Sequence, residues 1–122
     1  MSRARNILVG YDGSDAARRA LEAAVDLGGY GSRLSVVAVA LDGSPSPKTL
    51  AEARDILLAR HVAASYFEPV GEPGEELLGA AERLDADLVV VGRHETALQP
   101  LVLGSVSAKV LRRALCDVLV VR

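Results

Sequence analysis

The sequence predicts an α/β fold, a doubly wound, open parallel sheet of five strands with helices on both faces. Three observations carry this. Short apolar runs alternate with amphipathic helical patterns along the whole chain. The runs Leu34 to Leu41, Leu88 to Val91 and Val118 to Val121 are largely unbroken by polar residues, so both faces of the sheet need cover. Helical segments stand between consecutive strands, and such crossovers join parallel strands with a right-handed turn. The 122 residues are 50% hydrophobic and 25% charged. That composition suits one domain, 1–122, and excludes a disordered chain.

Each element has its own signal. Ile7-Leu8-Val9, closed by Gly10, reads as a buried strand. Ser14 or Asp15 caps a helix with Ala17, Ala20, Leu21, Ala24 and Leu27 on its apolar side. Gly28-Gly29 stops it. Leu34 to Leu41 is the second strand, ended by the turn cluster Asp42 to Pro47. Leu50, Ala53, Ile56 and Leu57 mark a second helix that ends near His61, a favourable place for partial positive charge. Val62 to Phe67 is a weaker third strand, followed by a loop from Pro69 to Gly74. Glu75 and Glu76 open the third helix, whose apolar side is Leu77, Leu78, Ala81 and Leu84. Leu88 to Gly92 is the clearest buried strand. A loop from Arg93 to Leu103 separates it from a last helix opened by Gly104-Ser105, with Val106, Val110, Leu111 and Ala114 on one side. Val118 to Val121 is the fifth strand.

Composition removes several function classes. With 14 basic and 16 acidic side chains, the net charge of −2 supplies no basic field for a nucleic-acid backbone. Tyr11, Tyr30, Tyr66 and Phe67 are the only aromatics, too few for a base-stacking surface. No apolar run is long enough to span a bilayer, and no apolar stretch of signal-peptide length follows Arg3 and Arg5. The single cysteine, Cys116, excludes an internal disulfide and fits a reducing cytoplasm. The expectation is a cytoplasmic protein with neither nucleic acid nor membrane as partner.

In doubly wound sheets ligands bind beyond the carboxyl ends of the strands, where the strand order reverses. Two loops there look specialised: Gly10-Tyr11-Asp12-Gly13-Ser14, and the stretch from Gly92-Arg93-His94-Glu95 to Gly104-Ser105-Val106-Ser107. Gly104-Ser105 reads in two ways. Free amides, a hydroxyl and a helix dipole suit a phosphate, and the same pair suits a plain turn with an N-cap. Asp12 is equally divided between a ribose or base acceptor and an Asx turn. Arg93-His94-Glu95 has no nucleophile or metal spacing beside it, and the two histidines with Cys116 form no metal-ligand pattern. The chain has no Gly-x-x-x-x-Gly-Lys loop, no Gly-x-Gly-x-x-Gly after strand 1 and no phospho-receiver set of acidic residues and lysine.

The stretch Asn6 to Ser14 resembles the opening of universal stress proteins. So do Asp87 to Gly92, Leu103 to Ser107, Val110 to Ala114 and Cys116 to Val121, with Asp117 where the family often has proline. The resemblance covers essentially the whole chain. It implies a Rossmann-like sheet in the order 3-2-1-4-5, with the two loops facing each other. It also implies a stress-response protein, commonly a dimer, in a family where one subclass binds ATP and another does not. In the ATP-binding subclass the loop after strand 4 reads Gly, two residues, Gly, nine residues, Gly, then Ser or Thr. Carried over, Gly92 is the first glycine and Gly104-Ser105 the closing pair, continued by Val106 and Ser107. Asp12 matches the acidic residue after strand 1, and Val39 the residue beside the adenine. The expected nucleotide-facing set is then Tyr11, Asp12, Val39, Val91, Gly92, Gly104, Ser105, Val106 and Ser107.

The pattern departs at Glu95, which stands at the second glycine, with only eight residues, Thr96 to Leu103, before Gly104. A carboxylate about 5 Å from one phosphate charge, at an effective dielectric of about 20, costs roughly 3 kcal/mol. That is about two decades of affinity. The connection after strand 2, Asp42 to Pro47, is also short for the family. The leading expectation is therefore a non-enzymatic regulator with a degenerate adenine-nucleotide site that takes ATP weakly and adenosine or AMP with less penalty. Its alternatives are a true ATP-binding switch and a slow ATP hydrolase using Asp12 and Glu95. The apolar terminal strand Val118 to Val121 is an open edge, and family resemblance implies that a second copy pairs with it. The regulated protein partner is unknown from the sequence.

Overall fold

Strands and helices alternate along the chain in a computed structural model that describes residues 5–28, 31–39, 47–93 and 105–122. In order they are β1 (Asn6–Gly10), α1 (Asp15–Gly28), β2 (Arg33–Val37), α2 (Pro47–Ala59), β3 (Ser65–Phe67), α3 (Pro73–Arg83), β4 (Leu88–Gly92), α4 (Ser105–Arg113) and β5 (Asp117–Val121). The strands form one five-stranded sheet in the order β3-β2-β1-β4-β5. All neighbours are parallel, with Val9 level with Val36 on one side and Val90 on the other. This is the fold the sequence predicts, Rossmann-like and covered on both sides.

Strand side chains alternate between faces, so one sheet feeds two cores. Ile7, Val9, Val36 and Val90 pack with Ala17, Ala20 and Leu21 of α1 and with Ala53 and Leu57 of α2. Leu8, Val37, Val89 and Val91 pack on the opposite face with Leu77 and Ala80 of α3 and Val110 of α4. Val9, Val36 and Val90 on one face and Leu8, Val37 and Val89 on the other are all buried, which is why β1, β2 and β4 read as largely apolar stretches. Among the described residues no helix is long and apolar enough to cross a membrane.

Several expectations need correcting. The second strand stops at Val37 instead of reaching Leu41. Beyond it the Tyr11 amide bonds the Val37 carbonyl at 2.9 Å and the chain of β1 turns away, so the ladder on that side has ended. Residues 40 to 46 lie outside the described residues. The third strand begins at Ser65, not Val62. Val62 belongs to the end of α2: its amide bonds the Leu57 carbonyl at 2.9 Å, the His61 amide bonds that of Leu58 at 3.0 Å, and His61 has φ 59°. That is a Schellman cap, with histidine in the left-handed position usually given to glycine. Leu27 is 52% exposed and Leu111 49% exposed, although both were expected on apolar sides. The buried stripe of α1 passes from Ala24 to Gly28, which lies against Ile7, and that of α4 runs through Ser107 and Val110.

Candidate functional site

The order β3-β2-β1-β4-β5 reverses direction between β1 and β4, so their carboxyl ends splay the following chain to opposite sides. A cavity of about 220 Å³ opens there. It is small beside the ~300–1,000 Å³ of sites for drug-sized ligands.

The β1 side is a built turn. Gly13 has φ 84°, a left-handed conformation that glycine adopts without steric cost. The turn lets the Ser14 amide donate to Asp12 Oδ1 at 2.9 Å, and Ser14 Oγ accepts from the Ala17 amide at 3.1 Å. Ser14 is thus the N-cap of α1, and Asp12 forms the Asx turn before it. Asp12 is exposed and still lines the cavity, so the Asx turn orients its carboxylate without burying it.

Tyr11 also borders the cavity, and its hydroxyl points elsewhere. Only 2% exposed, it packs in the core under α1 and α2 and donates to Glu52 Oε1 of α2. The same oxygen accepts from Arg18 Nε at 3.1 Å and Nη2 at 3.0 Å. Burial first, then the Glu52 hydrogen bond, pushes the Tyr11 phenol up to about 12. The Tyr11 hydroxyl and then Arg18 hold the Glu52 carboxyl below its ordinary range.

The other walls come from four elements. Val37 and Val39 continue β2 along one side, and Val91 and Gly92 end β4 beneath. Val106 and Ser107, in the first turn of α4, face across to Asp12's loop. Ser107 is 2% exposed, the one fully buried polar side chain among the described residues. Pro73 and Leu77 of α3 close the remaining side.

Of the expected nucleotide-facing set, Tyr11, Asp12, Val39, Val91, Gly92, Val106 and Ser107 therefore meet around one cavity. Ser105 begins α4, and nothing is described of its side chain. Gly104, His94 and Glu95 lie outside the described residues, as does the rest of the stretch from 94 to 104. Sequence reasoning missed Pro73 and Leu77, because it drew candidates from strand ends and α3 arrives over the sheet only through its crossover. It also missed Glu52, whose tie to Tyr11 has no spacing signal.

The α3 wall is clamped to α4. Glu72 caps α3 by accepting from the Gly74 amide at 3.1 Å and the Glu75 amide at 2.8 Å. Lys109 of α4 reaches Glu72 at 3.0 Å and Glu75 at 3.5 Å, and Arg113 also pairs with Glu75. Arg113, half exposed, is therefore engaged with α3. Among the described residues no three His, Cys, Asp or Glu side chains gather as a metal group.

Known proteins share this architecture. The model of the universal stress protein family matches residues 3–66 and 48–122. A universal stress protein of Mycobacterium tuberculosis is 32% identical over 143 residues, covering 99% of this chain and 98% of that protein. One from Thermus aquaticus is 36% identical over 138 residues, covering 97% of this chain and 98% of the relative. Both alignments are longer than the 122 residues here, so this chain lacks segments its relatives have. Among solved structures, a universal stress protein in complex with cAMP superposes with a TM-score of 0.82 at 34% identity, covering 99% of this chain and 98% of the other. With the family pattern running from residue 3 to the end and the strand order that it implies present in the sheet, this chain belongs to the universal stress protein family.

Proposed function

We propose that this protein is a non-enzymatic regulator in the stress response whose switch-point cavity takes an adenine nucleoside or nucleoside monophosphate, and ATP only weakly. The observation that carries the reading is the convergence of Asp12, Val39, Gly92 and Ser107 on one cavity of about 220 Å³. In this reading Val39 and Leu77 offer apolar walls to a base, Asp12 accepts from ribose hydroxyls, and the first turn of α4 meets a phosphate with its dipole and the Ser107 hydroxyl. The relative crystallised with cAMP supports a monophosphate of this class. Glu95, at the position where the ATP-binding pattern has glycine, would oppose a further phosphate about 5 Å away by roughly 3 kcal/mol.

Calorimetric titration with AMP, cAMP and ATP, on wild type and Glu95→Gly, tests this. Binding of a monophosphate by wild type is expected, with ATP gaining up to about a hundredfold in Glu95→Gly. Equal micromolar ATP affinity in the two proteins would overturn the weak-ATP reading, and silence with every adenine ligand would overturn the site itself.

The open edge of β5 supports a second element of the proposal, a homodimer through residues 118–121. Val118 to Val121 are only half-buried, and the strand pairs with β4 on one side. Such an apolar edge invites another strand. Light scattering is expected to report twice the mass of the chain, and a monomer at high concentration would contradict it.

A further inference from the structure

We infer that Glu52 and the Tyr11 hydroxyl act as positioning groups for the nucleotide site, holding the Asp12 loop in its binding geometry from outside the cavity. The inference rests on the proposed ligand reading. Its geometry does not.

Three elements meet at one atom. Glu52 Oε1 on α2 accepts from Tyr11 in the β1 loop and from two nitrogens of Arg18 on α1. Arg18 is held in turn by Asp15 at 2.9 Å in the first turn of its own helix. Tyr11 is fastened at both ends, its amide to the Val37 carbonyl at 2.9 Å and its hydroxyl to Glu52. The next residue is Asp12, whose Oδ1 carries the Asx turn to Ser14. Where the Tyr11 ring is anchored thus bears on the direction of the Asp12 carboxylate. Neither Glu52 nor Arg18 is among the residues that line the cavity. From Glu52 the path to the cavity runs through Tyr11 and the backbone of its loop. A phenol donating to a carboxylate is a charge-assisted hydrogen bond with a defined direction, which suits it to fixing a loop.

The test uses Tyr11→Phe, Glu52→Ala, Glu52→Gln and Asp12→Asn in the full chain, with AMP as the probe. Tyr11→Phe keeps the buried ring, and Glu52 stays bonded to Arg18, so the fold is retained. Tyr11→Phe and Glu52→Ala are each expected to weaken AMP about fivefold, the scale of one hydrogen bond. Glu52→Gln, which still offers the phenol a carbonyl oxygen, restores most of the loss. In the Asp12→Asn background the Tyr11→Phe effect disappears, because both act through one carboxylate. Losses that simply multiply, or an unchanged affinity, would overturn the inference. If wild type binds no adenine nucleotide, the ligand reading fails, and amide exchange at Ser14 then decides this one. Faster exchange in Tyr11→Phe and Glu52→Ala, corrected for global stability, upholds the positioning, and unchanged exchange refutes it.

Discussion

Gly92 stands so close to Ala16 that a β-carbon on it would lie 2.7 Å from the Ala16 carbonyl carbon and as near to the Ala17 nitrogen. The obstacle is helix backbone, which cannot rotate away. The end of β4 is therefore glycine because α1 begins against it. That packing demand is met before any ligand is considered.

Gly92→Ala is expected to destabilise the protein by about 1–3 kcal/mol, since α1 or β4 must shift. Chemical denaturation measures it. Gly10→Ala makes a useful contrast, because its β-carbon would meet the Leu77 side chain at 2.9 Å. Leu77 can change rotamer, so the stability loss is expected to be smaller, while AMP affinity falls as the cavity narrows. A larger stability loss at Gly10 than at Gly92 would contradict the packing argument.

His61 and Asp85 each end a helix in the left-handed region, with φ 59° and 51°. The Ala86 amide bonds the Ala81 carbonyl at 2.9 Å, so α3 closes with the same cap as α2. Replacing either residue by glycine removes the strain of a side chain there and is expected to stabilise by about 0.5–1 kcal/mol. The two gains are expected to add in His61→Gly/Asp85→Gly, as read from denaturation midpoints.

Glu72, held chiefly by Lys109, and Glu75, held chiefly by Arg113, have carboxyls below the ordinary 4.5. The unfolded chain takes up these protons first as the solution is acidified. Their contribution is complete above 4.5 and is lost as the pH falls through the lower folded values. Melting temperature is expected to drop between about pH 5 and pH 3, less steeply in Glu72→Gln/Glu75→Gln and less steeply at high salt. Parallel curves for wild type and double variant would exclude the clamp as the cause.

At the alkaline end the same linkage runs through Tyr11. Its phenol moves from 10.0 to about 12 on folding, so the stabilisation is whole below 10.0 and is lost as the pH rises to about 12. Tyr11→Phe removes this linkage. Its alkaline unfolding curve is expected to be flatter than that of wild type over that window, with the tyrosinate absorbance that wild type shows and Tyr11→Phe lacks reporting the titration.

The fold was legible because β1, β2 and β4 are buried on both faces and have few polar residues to confuse the pattern. Ser14 and Asp12 were legible as types, and the structure gives both a local role in the turn before α1. What escaped has a physical reason in each case. An apolar run does not reveal where its neighbour stops supplying hydrogen bonds, so β2 was drawn too long. A left-handed histidine has no sequence mark, so Val62 was assigned to β3 instead of to the cap. Leu77 and Pro73 reach the cavity through the placement of a crossover helix, and Glu52 meets Tyr11 across 41 residues of chain. Periodicity describes one element at a time and is silent about such meetings.

The cavity walls are shared between the two halves of the chain, Asp12 and Val39 lying before the exposed loop at Val70 and Gly92 and Ser107 after it. A chain cut in that loop would leave neither fragment with a complete site. The fragments would still present the complementary edges of β1 and β4, whose parallel ladder joins Ile7 to Leu88 and Gly10 to Val91. Reassembly would rebuild the cavity at the seam, so a ligand seated there would favour the rejoined pair over the separate pieces.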